Sequence, residues 1–268
     1  MIQRPELMSQ HNAEAFHGED VVTSYQFRPD YADETFAILA ALLNGNPRRI
    51  LDAGCGRGDI ARPLVASGDE IEGYEIEGVD AVDFSAAMIA HGQQMPNGDH
   101  PNLRWHHGRI EEVPLDPPYG LIIAAASLHW MDWPVVMPRF RELLVPGGYL
   151  AVVNQRTTPD AWSLLDGVID EYRVDGTFEP FDLFGELERH HLFKPVGKQQ
   201  TASLPFVQSI EDAVESYHSR TGFARTRMGK AKATAFDQAA REVLYAKYPS
   251  GIVQFEVAVS ILWGLPGE

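Results

Sequence analysis

From residue 48 to 154, short apolar runs alternate with segments of helical spacing. "RRILDAG" (48–54) is an apolar run ending in Asp52 and a glycine-rich turn, which predicts a strand feeding a tight loop. "DIARPLVAS" then predicts a helix, with Pro63 early enough to be tolerated in or near its first turn. "GVDAVDFS" is a second β-rich run that closes on Asp83, and Ser85 predicts the N-cap of a helix over "SAAMIAHGQQM". "NLRWHHG" predicts a short strand. "YGLIIAAAS" is apolar almost without interruption, as expected of a parallel strand buried on both faces. Asp132 and Pro134 suit the start of a helix over "VVMPRFRELL", in which Pro138 is an irregularity; "VPGG" predicts a turn and "YLAVVN" another buried strand.

After residue 154 the rhythm changes. "AWSLLDGVIDEYR" and "DLFGELERHH" predict helices, "KQQTASLPFVQ" a strand, and "SIED" (209–212) a capping box that opens a helix. Residues 219–248 form a locally basic, helix-prone stretch whose bland reading is a solvated helical face, and "GIVQFEVAVSILWG" predicts a strong last strand. The alternation predicts the α/β class, an open and mostly parallel sheet with right-handed crossovers, plus a helical cap inserted before the last strand.

Composition narrows the partners more than the fold. The chain has 268 residues, 44% hydrophobic and 22% charged, with a formal net charge of −16. So acidic a surface repels phosphate backbones, which argues against nucleic acid as a partner. The single cysteine, Cys55, cannot form an internal disulfide and fits a reducing compartment. No apolar run approaches the roughly 18 residues of a membrane span, and "MIQRPELMSQHN" lacks the basic-then-apolar pattern of a secretory leader. The expectation is a soluble, cytoplasmic protein without a membrane partner; its oligomeric state is open.

"DAGCGRGD" (52–59) stands where an open α/β sheet binds nucleotide-like ligands, outside the carboxyl end of its first strand. A dinucleotide fingerprint asks for G-x-G-x-x-G. Gly54 and Gly56 fit it, but its third position is Asp59, whose charge a pyrophosphate would meet at close range. The spacing is instead Gly54, Gly56 and Gly58, preceded by Asp52.

That loop resembles motif I of the class I S-adenosylmethionine-dependent methyltransferases. "VDFSAAM" (82–88) resembles the family's second-strand end, "GRIEEVP" (108–114) its "GDAEELP" segment, and "LVPGGYLAV" its "LKPGGxLxx" fifth-strand entry. Upstream, "SYQFRPDYADETFAIL" (24–39) resembles the "YxxxRPxYP" element of small-molecule members similar to trans-aconitate methyltransferase. The resemblance implies a Rossmann-like, doubly wound, seven-stranded sheet whose last strand is antiparallel. It divides a single domain into an N-terminal helical segment covering the cofactor (1–47), the sheet core (48–208 and 249–268) and the cap (209–248).

The resemblance also implies S-adenosylmethionine as cofactor, with Asp83 on the ribose hydroxyls and Phe84 against adenine. Asp52, Gly54, Gly56, Gly58, Ala125 and Ser127 complete its site, and Tyr25 and Arg28 lie toward its methionine end. Arg109 departs from the family's acidic or small polar residue, so the backbone of Ile110 is the alternative partner for the adenine amine.

Methyl transfer from a sulfonium is an in-line displacement, so alignment of the acceptor is the protein's main task, and a base is needed only for acceptors that must lose a proton. His129 and Trp130 in "SLHWMDW" follow the fourth strand; His129 is open between acceptor contact, general base and hydrogen-bonded strand-end residue, while Trp133 reads as packing. Adjacent His106 and His107 face opposite sides of a strand and cannot share a metal. Tyr217 and Arg220 of the cap are further acceptor candidates. The expected reaction is methyl transfer to oxygen or nitrogen of a small aromatic or heteroaromatic metabolite. The alternatives are a small organic acid, for which Arg28, Arg156 and Arg220 are available, and a cofactor-binding protein without catalysis.

Overall fold

The computed structural model describes residues 5–70, 75–177 and 181–267; the first four residues of the expected N-terminal segment, and of the leader reading, lie outside these. The chain divides into two compact units. One comprises residues 31–155, 182–202 and 259–268, and the other residues 1–30, 156–181 and 203–258. The expected cap, 209–248, falls wholly in the latter, together with residues 1–30.

The strands are β1 (Arg49–Ala53), β2 (Gly78–Asp83), β3 (Leu103–His107), β4 (Tyr119–Ala125), β5 (Leu144–Thr158), β6 (Phe193–Gln200), β7 (Leu204–Ser209) and β8 (Ile252–Pro266). Their order is β3-β2-β1-β4-β5-β8-β6, with β7 attached to β8. The pairs β2–β3, β1–β2, β1–β4 and β4–β5 are parallel, and β8 runs antiparallel to β6 and β7. The mostly parallel α/β sheet with an antiparallel last strand is therefore as expected, with one strand more.

The extra strand arises because "KQQTASLPFVQ" is not continuous. The Thr201 hydroxyl accepts the Val259 amide at 3.0 Å and donates to the Ala202 carbonyl, while the Ala202 amide turns to the Glu34 carboxylate. These side-chain bonds replace ladder bonds and end β6 before β7 begins. The expected "VPGG" turn is absorbed into β5 as a kink, where the register against β4 shifts between Tyr119 and Leu121 and Gly147 takes φ +80°.

The unit that holds β1 to β6 has its core on β1, β2 and β4, where Ile50, Val79, Leu121 and Ile123 are fully buried with Leu64 of the helix Ala61–Glu70. Parallel strands covered on both faces explain the unbroken apolar runs. Ser85 caps the helix Ala86–Gln93 by accepting the Met88 amide, as predicted. Asp132 occupies the N-cap position of the helix Trp133–Leu143, but its side chain makes no cap bond. In the other unit the helices Ile210–Tyr217 and Lys230–Lys247 pack around Phe223 and Phe236, whose rings lie 4.8 Å apart. Ser209 caps the first of these through the Asp212 amide. The expected helix over "AWSLLDGVIDEYR" is two short pieces separated by Gly167 at φ +83°. No helix among the described residues is long and apolar enough to cross a membrane.

One polar cluster pins the sheet from within. Asp80 on β2, 2% exposed, accepts from Arg49 (2.5 Å), the Tyr119 hydroxyl (2.8 Å) and Arg104 (3.1 Å), with His106 Nε2 at 2.8 Å. Burial by itself would raise this carboxyl, but the bonds from His106, Tyr119 and Arg49 and the Arg104 charge outweigh it and bring it down to about 2. A depressed carboxyl stabilises the fold above its unfolded value of 3.8 and loses that contribution as pH falls toward about 2. Replacing Asp80→Asn should cost about 3–5 kcal/mol at pH 7 by urea denaturation, because it strands the largely buried Arg49 guanidinium. The difference from wild type should shrink across that acid window.

Candidate functional site

The glycine loop leaves β1 under tight constraint. The Gly54 and Cys55 amides both donate to the Val82 carbonyl at 2.9 Å, and the Gly58 amide returns to Cys55 O. Gly54, Gly56 and Gly58 take φ of +72°, +55° and +75°, the left-handed region that penalises other residues. A Cβ on Gly54 would come within 2.6 Å of the Ser127 Cβ, and one on Gly58 within 2.5 Å of the Trp105 ring. At Gly56 a Cβ would meet nothing within 4 Å, so the loop's backbone is open to a ligand there.

Two carboxylates flank this opening. Asp83, 6% exposed, accepts the Gly56 amide at 2.7 Å on one oxygen and the Ser85 amide at 2.8 Å on the other. A carboxylate oxygen can accept more than one bond, so ribose-type hydroxyls can share this group. Asp52, 1% exposed, has no hydrogen-bond partner of good geometry on either oxygen. Burial first, then the Asp83 charge, pushes its carboxyl up to about 8, with the Ala61 amide acting weakly in the other direction. A buried acid without a partner is what a site awaiting a cation or a donor looks like.

Asp59 corrects part of the sequence argument. Arg57 Nε and Arg62 each hold one of its oxygens at 2.9 Å, so its charge is balanced within the loop. The missing third glycine, rather than a bare anion, is what separates this loop from a dinucleotide fingerprint. The arginine spacing was visible in "GRGDIAR" and was the available signal.

The remaining cofactor candidates of this unit gather at the ends of β2 and β4. Phe84 is half-buried, with the Arg109 guanidinium 5.7 Å from its ring centre, and Ile110 is buried. Ala125 closes β4, and the Ser127 hydroxyl donates to Ala53 O at 2.6 Å, tying the β4 exit to the end of β1. The turn Leu128–Trp130 follows, with the His129 and Trp130 rings 4.8 Å apart and both half-buried. Trp133 is fully buried and donates its indole N–H to Leu128 O at 2.7 Å, so it packs and braces this turn as expected. His106 pairs with Asp80 and His107 with Phe84 O, on different partners.

Tyr25, Arg28, Tyr217 and Arg220 belong to the other unit, where they come together. Arg28 donates to the Ser219 hydroxyl and carbonyl, both at 2.7 Å, and to the Tyr25 hydroxyl at 3.0 Å, with its guanidinium 4.0 Å over the Tyr25 ring. Arg220 donates to Ser216 O at 2.7 Å and lies over the Trp162 and Tyr217 rings at 5.0 and 4.9 Å. Among the described residues neither arginine is paired with a carboxylate. Burial, and after it the neighbouring Arg28 charge, brings Arg220 down to about 10, so it is a cation at neutral pH. Tyr217 is 3% exposed and donates its hydroxyl to Ala161 O. Both arginines and Tyr217 line a pocket within this unit, with Phe206, Gln208 and Phe255, three residues that sequence reasoning did not single out. Arg156, the third cation considered for an acid, is exposed.

Comparison with known proteins agrees with this geometry. Residues 50–148 match the family model described as "Methyltransferase domain". The chain is 33% identical over 109 residues to a malonyl-[acyl-carrier protein] O-methyltransferase of Halalkalibacterium halodurans, covering 39% of this chain and 38% of that one. It is 29% identical over 116 residues to a trans-aconitate 2-methyltransferase of Methylobacterium nodulans, covering 43% and 41%. The matches thus span about two fifths of these curated relatives. Among solved structures, a protein of Anaeromyxobacter dehalogenans described as a type II methyltransferase superposes with a TM-score of 0.61 at 20% identity, covering 89% of this chain and 99% of its own. That likeness speaks for the fold.

Asp52 offers a direct test of the loop's electrostatics. An acid whose folded value is raised keeps its proton in the folded state between about 4 and about 8, so wild-type stability falls as pH rises through that window. Asp52→Asn carries no such loss. Its advantage over wild type in thermal denaturation should therefore grow from pH 4 to pH 8 and then level off.

Proposed function

We propose, from the premise that the chain carries a class I S-adenosylmethionine-dependent methyltransferase domain over residues 50–148, that it methylates a carboxylate oxygen of a small organic acid. When bound, S-adenosylmethionine supplies a methyl group already activated on a sulfonium. The loop residues fit such a group: Gly56 leaves the backbone approachable, Asp83 offers acceptor capacity to the ribose hydroxyls, and the buried Asp52, held largely neutral by its burial, would give up its proton opposite a cation. In this reading the half-buried Phe84 would pack on adenine and the Ile110 backbone would meet its amine.

The observation that carries the acceptor assignment is the pair Arg28 and Arg220, two guanidinium groups that line one pocket with no ion-paired carboxylate among the described residues, the Asp160 charge acting on Arg220 only at longer range. Like charges held together in a partly desolvated site repel each other and favour an anion. A carboxylate is ionised at neutral pH and needs no base, so the protein's work is to hold it in line and exclude water. The relatives named for malonyl-[acyl-carrier protein] and trans-aconitate support an acid acceptor. A hydroxyl or nitrogen acceptor on an aromatic ring is the second reading, favoured by the adjacent His129 and Trp130 rings. Buried Cys55, its thiol pushed up by burial and the Asp83 charge, is unreactive there; as the single cysteine it suits the cytoplasm we assign.

Asp83→Ala should weaken cofactor binding at least tenfold by calorimetry, since one charge-assisted bond is worth about 1.5–3 kcal/mol; unchanged binding would refute the ribose assignment. His129 separates the two acceptor readings. Under carboxylate transfer, His129→Ala should leave kcat within a few-fold of wild type and its pH profile unmoved. A large loss of kcat with a displaced profile would establish a base and favour the second reading.

A further inference from the structure

We infer that Arg139 is a positioning residue for the cofactor's base: from the helix Trp133–Leu143 it shapes the segment 108–113 so that the Ile110 backbone meets adenine. The inference rests on the adenine reading of Ile110 above and adds to it a residue that no motif of the sequence marks. Arg139 belongs to the same unit as the glycine loop, and it acts through the segment rather than on the cofactor itself.

The hydrogen bonds of the segment can be followed group by group. Its first residue, Gly108, donates its amide to Asp83 O at 2.9 Å, which ties the segment to the residue assigned to the ribose. Arg109 O takes the amides of Glu112 (3.0 Å) and Val113 (2.9 Å) and closes a turn. Arg139 takes two of the carbonyls that this turn leaves over: one terminal guanidinium nitrogen donates to Glu111 O at 3.2 Å and the other to Val113 O. Ile110, 5% exposed, is the buried residue of the segment whose amide and carbonyl have no hydrogen-bond partner among the described residues. Buried backbone groups are almost always paired, so two left open in a turn otherwise so closely bonded mark the place of a ligand.

The helix holds this turn at two points. The Asp132 amide, at the helix start, donates to Glu111 Oε1 at 2.8 Å. Arg139 stands seven residues later, two helical turns along the same face. Glu111 is thus gripped by its side chain at one point and by its carbonyl at the other. Arg139 is half-buried and makes no ion pair among the described residues, and its Nε is buried without a partner. An arginine so placed serves the shape of the turn and not a balance of charge. Its planar fork holds two carbonyl oxygens in a fixed relation, which the single nitrogen of a lysine does not.

Adenine and hypoxanthine read such a backbone differently. The adenine amine donates, whereas the keto oxygen of hypoxanthine at the same position accepts. A site built around one pattern rejects the other, because its buried polar groups are then left unpaired.

The test measures binding of S-adenosylhomocysteine and S-inosylhomocysteine by calorimetry to the whole chain, as wild type and as Arg139→Ala, with thermal denaturation as the check on folding. Wild type should bind the adenosyl compound at least tenfold more tightly. In Arg139→Ala that ratio should fall at least fivefold, chiefly through lost affinity for the adenosyl compound. An arginine that merely supports the fold would weaken both ligands alike and leave the ratio in place. Arg139→Lys keeps the charge but not the fork, so it should lower the ratio as well, and it decides the question should the alanine variant fail to fold or bind neither ligand. A ratio that falls less than fivefold would overturn the role of Arg139 and leave the adenine assignment standing. A wild-type ratio below tenfold would overturn the adenine assignment itself, and this inference with it.

Discussion

A single carboxylate at the end of β2 holds the glycine loop in the shape on which the cofactor site depends. Three left-handed glycines in five residues make an unstable turn unless its amides are anchored, and Asp83 anchors the middle one directly. The Val82 carbonyl, one residue earlier, takes the amides of Gly54 and Cys55. Two successive residues of β2 thus fix the exit of β1, and the Ser127 hydroxyl adds the end of β4 to the same junction. Pre-organisation of this kind means that a ligand need not order the loop itself. The same group then has two duties, as a support for the loop and as an acceptor for the ligand.

Asp52 and Asp83 show how neighbouring acids acquire different characters. Asp83 is surrounded by donors and is used structurally, while Asp52 is buried without them and is driven toward its neutral form. Asp59, close by in sequence, is balanced by Arg57 and Arg62. Three carboxylates within one loop and strand end therefore differ because of hydrogen-bond supply and burial, not because of residue type. In the other unit Arg225 and Arg241 are ion-paired, whereas Arg28 and Arg220 have no ion-paired carboxylate among the described residues.

The sheet was legible because parallel strands covered on both faces are mostly apolar, as β4 and the middle of β1 and β5 are, while β2 departs from that rule at the buried Asp80. The caps at Ser85 and Ser209 were legible for an equally local reason, since each side chain answers an amide three residues on. The break between β6 and β7 was hidden, because it depends on Thr201 meeting Val259, 58 positions away. The cofactor loop could be read from its glycines, and the Asp59 pairing only in retrospect from the arginines around it. The Arg220 pocket could not be read: its lining runs from Phe27 to Phe255, and no local pattern joins them. What Arg220 and Tyr217 suggested in the sequence was a role for the cap, without the neighbouring Arg28 that gives the role chemical content.

The unpaired arginines also bear on the traffic of ligands. The chain as a whole carries a formal charge of −16, so an incoming anion is repelled at long range and attracted only over the last few ångströms. Screening reaches across about 8 Å at physiological ionic strength, which leaves the local attraction largely intact while damping the distant repulsion. For an anionic acceptor, then, moderate salt should hasten capture, the reverse of ordinary electrostatic steering. The long-range repulsion also grows with the charge of the ligand, so it weighs more on a polyanion than on a monoanion.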